Sequence, residues 1–217
     1  MPRRRAKQTE APRKRKVVTR SGEGMRGYFP SLKNPKPIPW ESLLERTALL
    51  VFEFDPKVLA LDSYQTEITI DGPEGAFSTF PDIITWDHAP TAHLWEVKPN
   101  HKAADPQIAS RLRWAKDFLE SQGQPYDVLL GKDLLRQPRL DLLNELVHYR
   151  RRFERERLRE LPAYRTLCAG ERLLTLGQLA SEVGSWNEVV RMCANSLLLF
   201  DPDQPLTPDL TAHPTQE

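Results

Sequence analysis

Two carboxylates and a lysine stand at a spacing that can hold a divalent cation. Asp82 lies within Phe80-Pro81-Asp82-Ile83-Ile84, and Glu96 and Lys98 lie within Leu94-Trp95-Glu96-Val97-Lys98. Both stretches are rich in β-branched and aromatic residues, and the turn formers Asp87-His88-Ala89-Pro90 separate them, which predicts a hairpin. Side chains alternate along a strand, so Glu96 and Lys98 share one face while Trp95 and Val97 take the other. Pairing the strands brings Asp82 near both. Charges on an otherwise apolar hairpin are costly to bury unless something uses them. Mg2+ is the natural user, since it takes hard oxygen ligands, keeps several waters and needs only one or two protein carboxylates. The same residues also suit a plain exposed hairpin, because Glu-x-Lys triplets are common on strands and Pro-Asp marks turns. The flanking segments bear on the choice.

Upstream, residues 40–54 read as a helix. Leu43, Thr47, Leu50 and Phe54 form one stripe, with Leu44, Ala48 and Val51 beside it. Asp55-Pro56 ends it, because a residue before proline avoids helical geometry. Glu41 and Glu45 sit one turn apart on a common face, interchangeable by periodicity. Either suits a solvated helix surface as well as a site. Residues 58–61 and 63–70 read as strands, the second alternating Thr66, Ile68 and Ile70 with Gln65, Glu67 and Thr69. Asp71-Gly72-Pro73-Glu74-Gly75 then turns the chain toward the hairpin. Residues 106–122 form an amphipathic helix with Ile108, Leu112, Ala115 and Leu119 inward, and Gly123 ends it. Tyr126-Asp127-Val128-Leu129-Leu130 reads as a buried strand. Helix, three to four strands, helix, strand argues an α/β core with one mixed sheet.

The ends of the chain differ in character. Arg3, Arg4, Arg5, Lys7, Arg13, Lys14, Arg15, Lys16 and Arg20 face a single acid, Glu10, which predicts an unstructured basic arm that contacts nucleic-acid phosphate. A solubilising tail is the plainer alternative. Residues 21–39 read as a proline- and glycine-rich linker with Tyr28 and Phe29 as anchors. Residues 140–159 read as one further helix whose later, highly charged part is exposed. From Pro162 onward, helix 175–183, the turn Gly184-Ser185, helix 186–194 and a strand at 197–200 make the skeleton of a small winged-helix-like unit. Its second helix carries Arg191 as its sole base, which suits protein docking better than reading a major groove. Residues 207–217 read as disordered. The expected division is a basic arm and linker over 1–39, an α/β core over 40–159 and a docking unit over 160–217.

Bulk properties set the class. With 217 residues, 39% hydrophobic and 28% charged, the chain can bury a core and is not globally disordered. No apolar run approaches the roughly 20 residues that span a bilayer, and no signal-peptide pattern opens the chain. Cys168 and Cys193 are too few for a disulfide framework, lack zinc-finger spacing and read as buried thiols of a reducing cytoplasm.

A helical glutamate, an aspartate after proline, then Glu96-Val97-Lys98 resembles the restriction-endonuclease-like PD-(D/E)xK pattern in order and spacing. A narrower resemblance is to TnsA, the endonuclease subunit of heteromeric TnsA/TnsB/TnsC transposases. It rests on Glu45, Phe52-Glu53-Phe54-Asp55-Pro56-Lys57-Val58, Tyr64-Gln65 and Phe80-Pro81-Asp82, with Tyr28-Phe29-Pro30-Ser31 ahead and a terminal helix-turn-helix ending in Phe200-Asp201. It covers about residues 25–205 and leaves out the basic arm. The resemblance implies a restriction-endonuclease-like core with a winged-helix-like domain behind it. It implies Asp82 and Glu96 as metal ligands, the Val97 carbonyl completing the shell, and Glu45 rather than Glu41 joining from the helix. Lys98 would orient or help deprotonate the attacking water, and work as a base would need a lowered pKa. Gln65 is a weaker candidate, and His101 and Lys102 are candidate phosphate contacts. The implied cofactor is Mg2+, with Mn2+ able to substitute, as one or two ions. The implied activity is cleavage at the 5′ ends of a transposon, on double-stranded DNA, beside a TnsB-type transposase and a TnsC-type AAA+ ATPase, in the bacterial cytoplasm at the nucleoid. Two other readings use the same residues: a restriction or repair nuclease of that fold, and a non-catalytic adaptor bridging DNA and protein.

Overall fold

The computed structural model describes residues 25–73, 75–89, 91–151, 153–170 and 174–215. The arm residues Arg3, Arg4, Arg5, Arg13, Lys14, Arg15 and Lys16 lie outside them. The segment read as a linker opens with a two-stranded ribbon, β1 (Gly27–Phe29) and β2 (Ile38–Trp40), antiparallel. Phe29 and Ile38 are buried, whereas Tyr28, read as a second anchor, is exposed.

Helix α1 (Leu43–Phe54) starts at Ser42, whose hydroxyl accepts the Glu45 N–H, and ends at Asp55 in extended geometry before Pro56. Its burial is broader than the expected stripe. Thr47, Ala48, Leu49, Leu50, Phe52 and Glu53 are all buried, while Leu43 is exposed. α1 is thus a core helix with an open first turn.

The central sheet joins β3 (Ala60–Ser63), β6 (Ile83–Trp86), β7 (His93–Lys98) and β8 (Tyr126–Leu130), in that order. β3, β6 and β7 pair antiparallel and β8 runs parallel to β7, with Leu94 opposite Tyr126. The strand expected over 63–70 is divided instead. β4 (Ile68–Gly72) leaves the sheet and pairs with β5 (Gly75–Thr79), a strand the sequence reading missed. The turn at 71–75 therefore closes this side hairpin before the chain reaches β6. Beyond β7, the short α2 (Asn100–Ala103) leads to α3 (Pro106–Ser121), capped by Asp105 and closed by Gly123 at φ 73°. α3 returns the chain to β8, as a parallel crossover requires.

Each face of the sheet has its own core. Ile83 and Val97 pack with Leu49, Leu50 and Phe52 of α1 on one side. On the other, Leu94 and Tyr126 pack with Ala115 and Leu119 of α3 and Ile70 of β4. The α3 face is the one that also carries Glu96 and Lys98.

After β8 come α4 (Gly131–Leu134) and α5 (Arg139–Leu146), then a 3-10 turn, Val147–Tyr149, and α6 (Glu154–Arg159). The single helix expected over 140–159 is broken at Arg150, which is extended at φ −72° and ψ 127°. The break sends Arg150 inward, where its guanidinium meets Glu53 Oε1 at 3.0 Å and lies over the Phe54 ring. Asn195 covers the interrupted backbone, accepting the Arg151 N–H at 3.2 Å and donating to the Tyr149 carbonyl at 3.4 Å.

The remaining chain runs α7 (Pro162–Ala169), β9 (Leu174–Thr175), α8 (Leu176–Val183), α9 (Trp186–Ala194), β10 (Leu198–Leu199) and β11 (Thr211–Pro214). Thr175 and Gln178 form a capping box at α8, and Gly184, at φ 79°, ends it. The tail read as disordered supplies β11, the middle strand of the order β10-β11-β9, with Ala212 buried. Leu142, Leu146 and Leu158 belong to this third core, together with Leu176, Val189 and Leu198. Of the two thiols, Cys193 is buried and Cys168, contrary to expectation, is exposed. Among the described residues no helix is long and apolar enough to cross a membrane.

Candidate active site

Asp82 is held by its backbone before its side chain does anything. Its N–H donates to the Trp95 carbonyl at 2.8 Å, and its carbonyl accepts the Tyr64 N–H at 3.0 Å. The pairs Ile83–Trp95 and Ile84–Leu94 set the register, and one further step places Asp82 opposite Glu96. Alternation puts both on the α3 face of the sheet. Asp82 Oδ2 accepts the Val97 N–H at 2.7 Å, which ties the carboxylate to the strand carrying Glu96 and Lys98. Glu96 is 5% exposed and its Oε1 accepts a hydrogen bond from Lys98 Nζ.

The charge balance is uneven. Burial, then Glu96, then Glu45 push the Asp82 carboxyl up to about 7, against the opposing pull of Lys98 and the Val97 N–H. Three carboxylates thus share a field with one lysine. Glu45 enters it from the first turn of α1, where it also closes the helix end. Its Oε1 accepts from the Ser42 hydroxyl at 3.0 Å and its Oε2 from the Glu41 N–H at 2.8 Å.

The weaker candidates lie around this centre. Gln65 Nε2 donates to Ser63 Oγ at 3.1 Å and lines a cleft of about 320 Å3 with Tyr64 and Ile84. His101 and Lys102 are exposed on α2. His101 lines a groove of about 680 Å3 with Leu43, Asn100, Lys132 and Leu135, at the open end of α1. One residue on the acidic face escaped the sequence reading. Tyr126, at the start of β8, is fully buried, and its hydroxyl has no hydrogen-bond partner among the described residues. The strand pattern marked it as buried, but only the parallel register with β7 places it beside the acids.

Among the described residues no group of three or more His, Cys, Asp or Glu side chains is arranged to enclose a metal. A Mg2+ ion does not require one, because it retains waters and takes one or two carboxylates. An all-oxygen pair, Asp82 and Glu96, on a face with excess negative charge fits such an ion. It does not fit a closed zinc site, which needs four protein ligands. No family model and no curated protein matches the chain.

Proposed function

We propose that the chain is a Mg2+-dependent DNA endonuclease subunit that cleaves the 5′ ends of a transposon within a heteromeric transposase. The observation that carries the reading is the register placing Asp82 opposite Glu96, with Lys98 on the same face and Glu45 acting on Asp82 from α1. The order α1, β3, β6, β7, α3, β8 supports a restriction-endonuclease-like core over 40–159. α7, α8 and α9, with the sheet β10-β11-β9, support a winged-helix-like docking unit over 160–217.

Asp82 and Glu96 would hold the cation, with the Val97 carbonyl and Glu45 completing or extending the set. When bound, the ion would polarise the phosphoryl oxygen and offset charge on the leaving oxygen. Lys98 would exchange its bond to Glu96 for the attacking water, holding it in line with the phosphorus. The arm residues 1–20 would add sequence-independent phosphate contacts. Partners would be a TnsB-type transposase that cuts the 3′ ends and a TnsC-type AAA+ ATPase docked on the carboxy-terminal unit. The setting would be the bacterial nucleoid.

The test is strand-specific cleavage of a supercoiled plasmid carrying the cognate transposon ends, with Mg2+, the neighbouring transposase and ATPase, and either the wild-type chain or Asp82→Ala. The variant is expected to lose 5′ nicks by at least ~100-fold while 3′ cutting continues, since even outer-shell losses at metal sites cost ~10–100-fold. Unchanged 5′ cutting would remove the chemistry from this site and leave the adaptor reading.

A further inference from the structure

Tyr126 is the largest fully buried side chain among the described residues, and among them its hydroxyl finds no hydrogen-bond partner. A buried hydroxyl in that position is costly, and phenylalanine would fill the same space without it. The ring is held by apolar groups, namely Ala115 and Leu119 of α3, Ile70 of β4 and Leu94 of β7. None of those side chains offers an acceptor. The groups that can use the proton lie further along the same face. Tyr126 is opposite Leu94 in the parallel register, and Glu96, two residues on, is its diagonal neighbour. Such neighbours are about 7–8 Å apart, within reach of aromatic and long side chains. Burial, then Glu96 and Asp82, hold the phenol in its neutral, donating form.

Glu96 spends one oxygen on Lys98 in this structure. In the reaction proposed above, Lys98 has to leave it for the water, and the ion then holds the carboxylate's charge while its orientation depends on the donors nearest to it on the same face. A second cation would repel the metal; a phenol would not.

We propose that Tyr126 is a positioning residue: its hydroxyl donates to the Glu96 carboxylate when Lys98 disengages, fixing that carboxylate toward the divalent ion. The inference rests on the nuclease reading and adds to it the group that steadies its ligand.

The test uses the full chain and two readouts other than cleavage. Thermal unfolding in EDTA is measured for wild type, Tyr126→Phe, Lys98→Met and the double variant. Tyr126→Phe alone is expected to unfold at or above the wild-type temperature, because it removes a hydroxyl with no bond in the resting state. In the Lys98→Met background it is expected to unfold earlier, because Glu96 has by then turned to the phenol. Mn2+ binding by calorimetry is expected to weaken ~10–100-fold in Tyr126→Phe, as for other losses behind a metal ligand. Destabilisation by Tyr126→Phe alone would make the hydroxyl a structural group and overturn the inference. So would an additive cycle with Mn2+ affinity within about twofold of wild type. Asp82→Ala, titrated in parallel, separates the two levels. If it binds Mn2+ as wild type does, or if wild type takes up none, the metal-site reading itself falls.

Discussion

Lys33 illustrates how far a single side chain can be bent from its ordinary state without any role in the site. Its ammonium donates to the Phe52 carbonyl at 2.9 Å and the Asp55 carbonyl at 2.6 Å, closing the carboxy-terminal end of α1. Burial lowers its pKa to about 8; Arg150 and Arg155 push the same way, and Glu53 and Asp55 oppose. Between pH 8 and 10.5 the unfolded chain therefore binds more protons at this position than the folded one, so its contribution to stability rises with pH across that window. Below pH 8 both states are protonated, and the cost of burying the charge is present in full. Against Lys33→Met, the wild type is expected to gain on the order of 1–2 kcal/mol between pH 7.5 and 10. Urea unfolding of the pair at each pH measures it, and a constant gap would mean the amine titrates normally. Glu45 is a second residue with two duties, since the carboxylate that acts on Asp82 also caps α1.

Elements here are set by local signals wherever those signals are self-contained, and by distant partners elsewhere. The break between α5 and α6 depends on Glu53, a residue 97 positions earlier in the chain, whose carbonyl also accepts from Arg150 Nη1 at 3.0 Å. Glu53 is wholly buried and further accepts from the Ser31 hydroxyl at 2.6 Å and the Leu32 N–H at 2.7 Å. Removing one partner of a buried ion pair leaves the other uncompensated, at a cost of about 3–5 kcal/mol. Arg150→Met is expected to lose that much in denaturant unfolding, and Arg150→Met with Glu53→Gln to recover part of it. A double variant no better than the single would mean the pair is not coupled. No such contact is visible in residues 147–153, where alternating charge reads as a solvated helix. By contrast, α1, α3, α8 and the β6–β7 hairpin were legible because Asp55-Pro56, Gly123, Gly184 and the turn formers Asp87-His88-Ala89-Pro90 act within a few residues of themselves. The grouping of Asp82, Glu96 and Lys98 was legible for the same reason, as strand alternation is local. Tyr126 was not, because its neighbourhood follows from a parallel pairing across α3.

At the scale of the whole molecule, the acidic face and the carboxy-terminal unit rest on different cores, and this separates two kinds of failure. The acidic face stands on the cluster shared by α3, β4, β7 and β8, whereas β11 stands on the cluster shared by α5 to α9. β11 is tied in by its neighbours on both sides and by what precedes it. Leu176 N–H donates to the Leu210 carbonyl and Gly177 N–H to the Pro208 carbonyl, each at 2.8 Å, and Thr215 N–H to the Leu197 carbonyl at 3.0 Å. Gly177 sits so close that a Cβ there would lie 2.9 Å from Pro208 Cβ. Truncation after residue 205 removes the middle strand of β10-β11-β9 and bares Leu176 and Leu198, each buried side chain worth about 1.5–3 kcal/mol. The truncated chain is expected to lose protection from limited proteolysis across residues 160–200, and with it binding of the proposed ATPase partner. Its Mn2+ affinity is expected to stay within about threefold of wild type, because neither Asp82 nor Glu96 packs against the lost strand; the usual coupling between well-separated sites is below ~0.5 kcal/mol. Loss of Mn2+ binding together with docking would mean that the two cores fold as one unit and that the acidic face has no stability of its own. An intact proteolytic pattern would return residues 206–217 to the status of a tail.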